Sequence, residues 1–234
     1  MINDDKIFTM EFFRRHALLL VVSCLLLVNV LIWQGVLASG GNDNDTLKVF
    51  YLDIGQGDAT FIEAPNGNQV LIDGGPTTNK VLSELGDIMP VGDRTIDVVI
   101  ATHPDADHIG GLPEVFRRYE IENYIESGNK TKDTNIVKTF DRIVAEESGL
   151  VSVIARRGMR LIVDEEKGIY LDILFPDRDV SRVESNDASI ITRLTYGETC
   201  FIFSGDAAQK IELYVAEIEK NNLKQMSDGG EIEK

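Results

Sequence analysis

"ATHPDADHIGGL", Ala101 to Leu112, sets His103, Asp105, Asp107 and His108 within six positions of a chain whose 234 residues include only three histidines. It continues "IDVVI", a short unbroken apolar run of the kind that forms a strand covered on both faces. If the chain stays extended past Thr102, strand alternation puts His103 and Asp105 on one side. Pro104 supports this, because proline disfavours a helical conformation at the residue before it. Asp107 shares the alternation, and His108 turns away as the next helix begins. Two separated pairs of nitrogen and oxygen donors at a strand end suit two adjacent metal ions, roughly 3.5–4 Å apart around an activated water. Gly110 and Gly111 then allow backbone to approach closely. The plainer reading, aspartates capping a helix beside surface histidines, does not account for four donors clustered directly after a buried strand.

Composition limits what such a site could serve. Thirty-nine acidic against 23 basic residues give a formal net charge of -16. An acidic surface of that size repels polyanions within a Debye length. A nucleic-acid substrate would therefore need local cations, such as bound metals, rather than a broad basic face. Two cysteines, Cys24 and Cys200, stand in unrelated contexts and define no disulfide framework.

Towards the N-terminus, Ala17 to Asn42 carries no charged residue, and "ALLLVVSCLLLVNVLIW" is its dense apolar part. A membrane-spanning helix needs about 20 largely apolar residues, so residues 17–38 are expected to be a transmembrane anchor. Arg14 and Arg15 precede it, which places residues 1–16 in the cytoplasm and the remainder outside. A cleaved signal segment with "VLA" before Ser39 is the rival reading, and the product would then be secreted. Residues 39–46 read as a linker, 47–225 as the folded domain and 226–234 as a polar tail.

Within that domain "LKVFYLDI", "DATFIEA" and "QVLID" predict an antiparallel meander. "TTNKVLSELGDI" predicts a helix with Thr or Asn as its cap. "LPEVFRRY" and "NIVKTFDRIVAEE" predict further helices, and "IENYIES" a strand between them. "MRLIVDEEKGIYLDILFP" and "ASIITRLTYGETCFIFSG" read as hairpins, and "QKIELYVAEIEKNN" as a last amphipathic helix. Sheets covered by helices follow from this alternation.

"THPDADHIGGL" resembles the His-x-His-x-Asp-His signature of the metallo-β-lactamase fold, with aspartate at the second histidine position. "VFYLDIGQGDATFIEAPNGNQVLIDGG" and "NDASIITRLTYGETCFIFSGDA" are similar, in the same order, to the extracytoplasmic hydrolase domain of ComEC-type competence proteins and their free-standing relatives. The resemblance runs from about Leu47 to Ala207. It implies an α+β fold, an αββα sandwich with a metal site at one edge between the sheets. By the same resemblance His103 and Asp105 bind one metal, Asp107 and His108 the other, and Asp206 bridges them. Asp73 braces the metal loop, Asp53, Gln56 and Asp58 form a signature turn near the site, and Asn186 and Asp187 precede the late hairpin. The family pattern continues to a "HHGS"-like segment, whereas no histidine follows His108 here. The second half of the sandwich is therefore expected to be incomplete, with an exposed sheet edge or apolar patch that a partner or second chain would cover.

The expected activity is that of a membrane-anchored, extracytoplasmic metal-dependent hydrolase of DNA or RNA phosphodiesters, linked to DNA uptake or processing. Asp107 would orient the attacking water and accept its proton. Zn²⁺ or Mn²⁺ is expected as a pair of ions, with Mg²⁺ also compatible, because Asp105 enriches the site in hard oxygen donors. Two alternatives stand beside this: a hydrolase of small esters or lactams, and a partial or inactive domain that acts as a binding module.

Overall fold

A computed structural model describes residues 4–39 and 46–227, and the chain divides into two units between Asp45 and Thr46. The first unit holds one helix, α1 (Asp4–Ser39). Its apolar side chains between Leu19 and Trp33 are exposed. Among the described residues, no helix is long and apolar enough to cross a membrane. Most of the expected linker, and the tail from residue 228 on, lie outside the described residues.

The second unit is built on two sheets. Strands β1 (Lys48–Tyr51), β2 (Thr60–Glu63), β3 (Gln69–Ile72), β4 (Thr95–Ala101), β5 (Glu120–Glu126) and β6 (Val151–Ile154) form the first, in that order. The first three pair antiparallel, and β3 to β6 pair parallel. The second is antiparallel, in the order β10 (Thr199–Phe203), β9 (Ile191–Tyr196), β8 (Ile169–Phe175), β7 (Arg160–Asp164). Helices α2 (Lys80–Ile88), α3 (Ala106–Ile109), α4 (Leu112–Arg118) and α5 (Asn135–Glu146) lie among the strands of the first sheet, and α6 (Gln209–Ser227) follows the second.

The strand period of two sorts the apolar residues into layers. Phe61, Leu71, Val99 and Tyr124 join Val81, Leu85, Leu112, Val115, Phe116 and Phe140 in a core between the first sheet and its helices. Their neighbours Ile62, Val70, Ile72, Ile100 and Ile125 point the other way and meet Val163, Leu171, Ile173, Leu194 and Phe203 of the second sheet. A third, smaller cluster seats Ile211 and Val215 of α6 on Leu174, Phe175 and Ile191. This explains the unbroken apolar run of β4: both its faces are covered.

Three local expectations need correction. Asn79 occupies the N-cap position of α2 without a capping side-chain bond, and Lys80 N instead donates to Thr78 Oγ1 at 3.3 Å. β6 escaped the sequence reading, because four residues with three exposed positions carry little periodic signal. α6 continues to Ser227, past the start of the expected polar tail. The exposed edge has a counterpart in β10, which ends the second sheet and exposes Ile202. An apolar hollow of about 320 Å³ lies between β10 and α6, lined by Ile191, Ile202 and Val215.

Candidate metal centre

β4 ends at Ala101, and Thr102 and His103 beyond it are buried, with the Thr102 carbonyl accepting Ile190 N just before β9. The extended conformation stops sooner than alternation required. Asp105 still has extended backbone angles, but it is the N-cap of α3, so Asp107 and His108 lie in a helical turn. That turn rotates His108 back toward His103, and the two rings stand 4.1 Å apart, both buried. Alternation turns His108 away from His103, whereas the structure sets the two rings against each other.

Asp73 organises this loop from below. It is 1% exposed and adopts a φ of 59°, a left-handed conformation that aspartate tolerates better than most residues. Its Oδ1 accepts Thr102 N at 2.8 Å, and its Oδ2 accepts Thr102 Oγ1 at 2.6 Å and His108 Nδ1 at 2.8 Å. The threonine hydroxyl has one proton, and it goes to Asp73, so Thr102 Oγ1 accepts from His103 Nδ1 at 3.0 Å. Both imidazoles thus carry a proton on Nδ1, so Nε2 is the atom that each ring, when neutral, can offer to a cation. His103 Nε2 is buried without a partner. Leaving such an atom unmatched costs free energy, which a cation would recover.

The third donor arrives from 98 residues downstream of His108. Asp206 sits in the turn after β10, its side chain 44% exposed, with Oδ1 3.4 Å from His108 Nε2. His103, His108 and Asp206 each offer one ligand atom, and these atoms lie within 4.8 Å of one another. Gly205 closes the seam: at φ 50°, a Cβ on it would come 2.8 Å from Thr102 Oγ1.

The fields at the two histidines oppose each other. Burial, reinforced by the neighbouring His108 charge, lowers the pKa of His103 against the pull of Asp73, Asp105 and Asp206. Burial also disfavours charge on His108, but the Asp73 hydrogen bond and the charges of Asp73, Asp206 and Asp107 outweigh it and push the pKa up to about 9. Asp58 is raised by burial and by the carboxylates of Asp73, Asp206 and Asp107, with His108 opposing. The site therefore concentrates negative charge around the two Nε2 atoms, and the field that holds a proton on His108 would equally favour a divalent cation in its place.

The other expected residues take varied places. Asp105 turns to Ser185 Oγ at 2.5 Å and Lys132 Nζ at 3.2 Å; burial would raise its pKa, but these two partners and the His103 charge lower it. Asp107 is exposed on α3. The Asp53–Asp58 turn packs on α3 through Gly57, where a Cβ would come 1.8 Å from the Asp107 carbonyl oxygen. Asp53, Gln56 and Asp58 are exposed there, and the Asp58 carbonyl accepts Gly75 N. Asn186 and Asp187 begin a single 3-10 turn whose amides donate to Glu184, and Asp187 pairs with Lys210 of α6. Sequence reasoning missed Thr102, Ser185 and Lys132. Thr102 adjoins the histidine loop and could have been suspected, whereas the other two lie on irregular segments.

Helix-covered sheets that bring two histidines and a distant aspartate together at one strand end define a known class. Residues 52–231 match the family described as the Metallo-beta-lactamase superfamily, and the chain belongs to that superfamily. It is similar to ComEC-type competence proteins. Against ComE operon protein 3 of Bacillus subtilis (strain 168) it is 26% identical over 195 residues, 74% of this chain and 24% of that protein. Against Recombination protein 2 of Haemophilus influenzae it is 28% identical over 171 residues, 71% of this chain and 19% of that protein. The chain thus spans about a quarter or less of these relatives' length. Among solved structures, a metallo-beta-lactamase of Cronobacter sakazakii aligns over 67% of this chain and 55% of its own at 13% identity, with a TM-score of 0.45.

Proposed function

We infer that the domain is a metal-dependent hydrolase acting on nucleic-acid phosphodiesters. The observation that carries this reading is the convergence of His103, His108 and Asp206, with a buried imidazole nitrogen left unpartnered. These three residues would hold a divalent cation. Asp107 and Asp58, the latter raised by burial and by the carboxylates around it, would draw a second. Mixed imidazole and carboxylate donors suit Zn²⁺ or Mn²⁺, and Mg²⁺ to a lesser degree. When bound, such ions lower the pKa of water and stabilise an anionic transition state.

The chain's own residues supply the rest. Asp73 and Thr102 hold both histidines in the tautomer that offers Nε2. Asp107, exposed at the rim, orients the attacking water and accepts its proton. A phosphodiester substrate is supported by the similarity to proteins named for the ComE operon and for recombination. The uncharged run Ala17–Asn42, preceded by Arg14 and Arg15, supports a membrane anchor that keeps the domain on the outer side.

Metal analysis of the purified full chain in detergent, paired with cleavage of labelled single-stranded and duplex DNA, tests the reading. Bound transition metal, cleavage abolished by chelator, and loss of roughly 100-fold in metal affinity in Asp206→Asn are expected. A protein that takes up no divalent cation, or cleaves equally in chelator, would sink it. Fractionation should leave the chain in carbonate-washed membranes.

A further inference from the structure

We propose that Lys132 is the residue that positions the anionic phosphoryl group of the substrate, in a cavity beside the candidate metal centre. The proposal rests on the hydrolase reading for the substrate's class, but its geometry stands independently. A cavity of about 290 Å³ opens next to His103 and Pro104 and is bordered by Asn129, Lys130, Lys132 and Lys138. Glu126, Asp133 and Asp141 also line it. That volume lies at the small end of ligand pockets, room for about one nucleotide unit rather than a duplex.

The loop that carries Lys132 is built rather than loose. Asn129 is buried, and its Nδ2 donates to the carbonyls of Val180 and Val183 at 2.8 and 3.0 Å. Its Oδ1 accepts both Thr131 N at 3.0 Å and Thr131 Oγ1 at 2.6 Å. Lys130 N donates to the Ser181 carbonyl. These bonds fix the backbone on both sides of residue 130 and aim the following lysine at the histidine loop.

The three lysines differ in their partners. Lys130 pairs with Glu126 at 3.7 Å and Lys138 with Asp133 at 2.9 Å, neither partner belonging to the histidine loop. Lys132 Nζ lies 3.2 Å from Asp105 Oδ1, inside that loop, with its side chain 38% exposed. An ammonium has three N–H donors, and Asp105 takes one. A phosphoryl oxygen entering the cavity would meet the others. In a chain of net charge -16 an approaching polyanion is repelled within the Debye length, so a fixed local cation decides whether it is held. Asp105 is then the carboxylate that keeps the ammonium in place.

Calorimetric titration of the full chain in detergent with thymidylyl-thymidine, and separately with inorganic phosphate, reads binding without turnover. Lys132→Gln should weaken both by about tenfold, the loss of one charged hydrogen bond, and Lys132→Arg should restore most of it. Lys48→Gln removes the same unit charge from β1 and should leave both affinities unchanged. Tight dinucleotide binding with no phosphate binding in the native chain would mean that the nucleoside is the recognised part, and the assignment fails. It also fails if the native chain binds neither probe, if Lys132→Gln binds like the native chain, or if Lys48→Gln weakens binding equally. Loss of chelator-sensitive cleavage with Lys132-dependent binding intact would sink the hydrolase reading instead, so the two failures are separable.

Discussion

The two loops that meet at the candidate metal centre are constructed in opposite ways. The loop after β4 is sealed: Thr102, His103 and His108 are buried, and three hydrogen bonds tie it to a single carboxylate, Asp73. The turn after β10 is open, and Asp206 is nearly half exposed. Burial suits the imidazoles, which are neutral when they bind metal, while exposure suits a carboxylate that must stay charged without a desolvation penalty. The imidazole geometry is therefore fixed by hydrogen bonds, and the Asp206 charge is supplied from a segment whose position depends on Gly205 and on α6. The first loop should govern stability and the second affinity.

Asp73→Asn breaks that division most severely. Asparagine tolerates the left-handed backbone at this position, so the change isolates the loss of charge and of one acceptor oxygen. Thr102 or His108 would be left with a buried, unsatisfied donor. We expect about 3 kcal/mol of lost stability in urea unfolding, the range for breaking a buried charged pair. A loss below 1 kcal/mol would mean that the β4 loop is not organised by Asp73.

Gly205→Ala probes the seam between the loops. The new Cβ would lie 2.8 Å from Thr102 Oγ1, on a residue at φ 50°. Backbone strain and contact together should cost about 1–2 kcal/mol, and metal titration should show weaker binding as Asp206 is pushed away from His108. A neutral substitution would show that the β10 turn adjusts freely, and that the two loops are not in register with one another.

The same contrast decides what could be read from the sequence. The sealed loop was legible because its donors crowd into six positions after an unbroken apolar strand. Even so, alternation turned His108 away from His103, whereas α3 begins at Ala106 and rotates the ring back onto it. Asp73 and Asp206 were found through resemblance, since neither a lone aspartate after a strand nor one before a helix declares a partner. Ser185 and Lys132 gave no signal at all. They reach Asp105 from 80 and 27 positions away along irregular segments, where neither periodicity nor spacing constrains direction. The fold was legible where strands alternate and failed at β6, a short and mostly exposed edge.

The smallest expected effect tests what seats α6, and through it the open turn. Asp172 on β8 accepts from Arg160 Nε at 2.6 Å and from Arg193 at 3.1 Å, and Arg193 continues to Glu219 of α6 at 2.9 Å. Arg157 grips the same glutamate at 2.6 Å. Burial would raise the Asp172 carboxyl, but the Arg160 and Arg193 hydrogen bonds outweigh it and hold its pKa below the ordinary 3.8. A carboxyl depressed in this way adds stability that is present above its unfolded value and is lost as pH falls through the folded one. Asp172→Asn should therefore be less stable than the native chain by about 1 kcal/mol at pH 7. The gap should narrow once the pH drops below 3.8, because the native carboxyl is then neutralised as well. Thermal unfolding of both proteins across that interval provides the measurement. A gap that stays constant down to the most acid condition would show that packing of Ile211 and Val215, rather than the ionic ladder, fixes the helix behind Asp206.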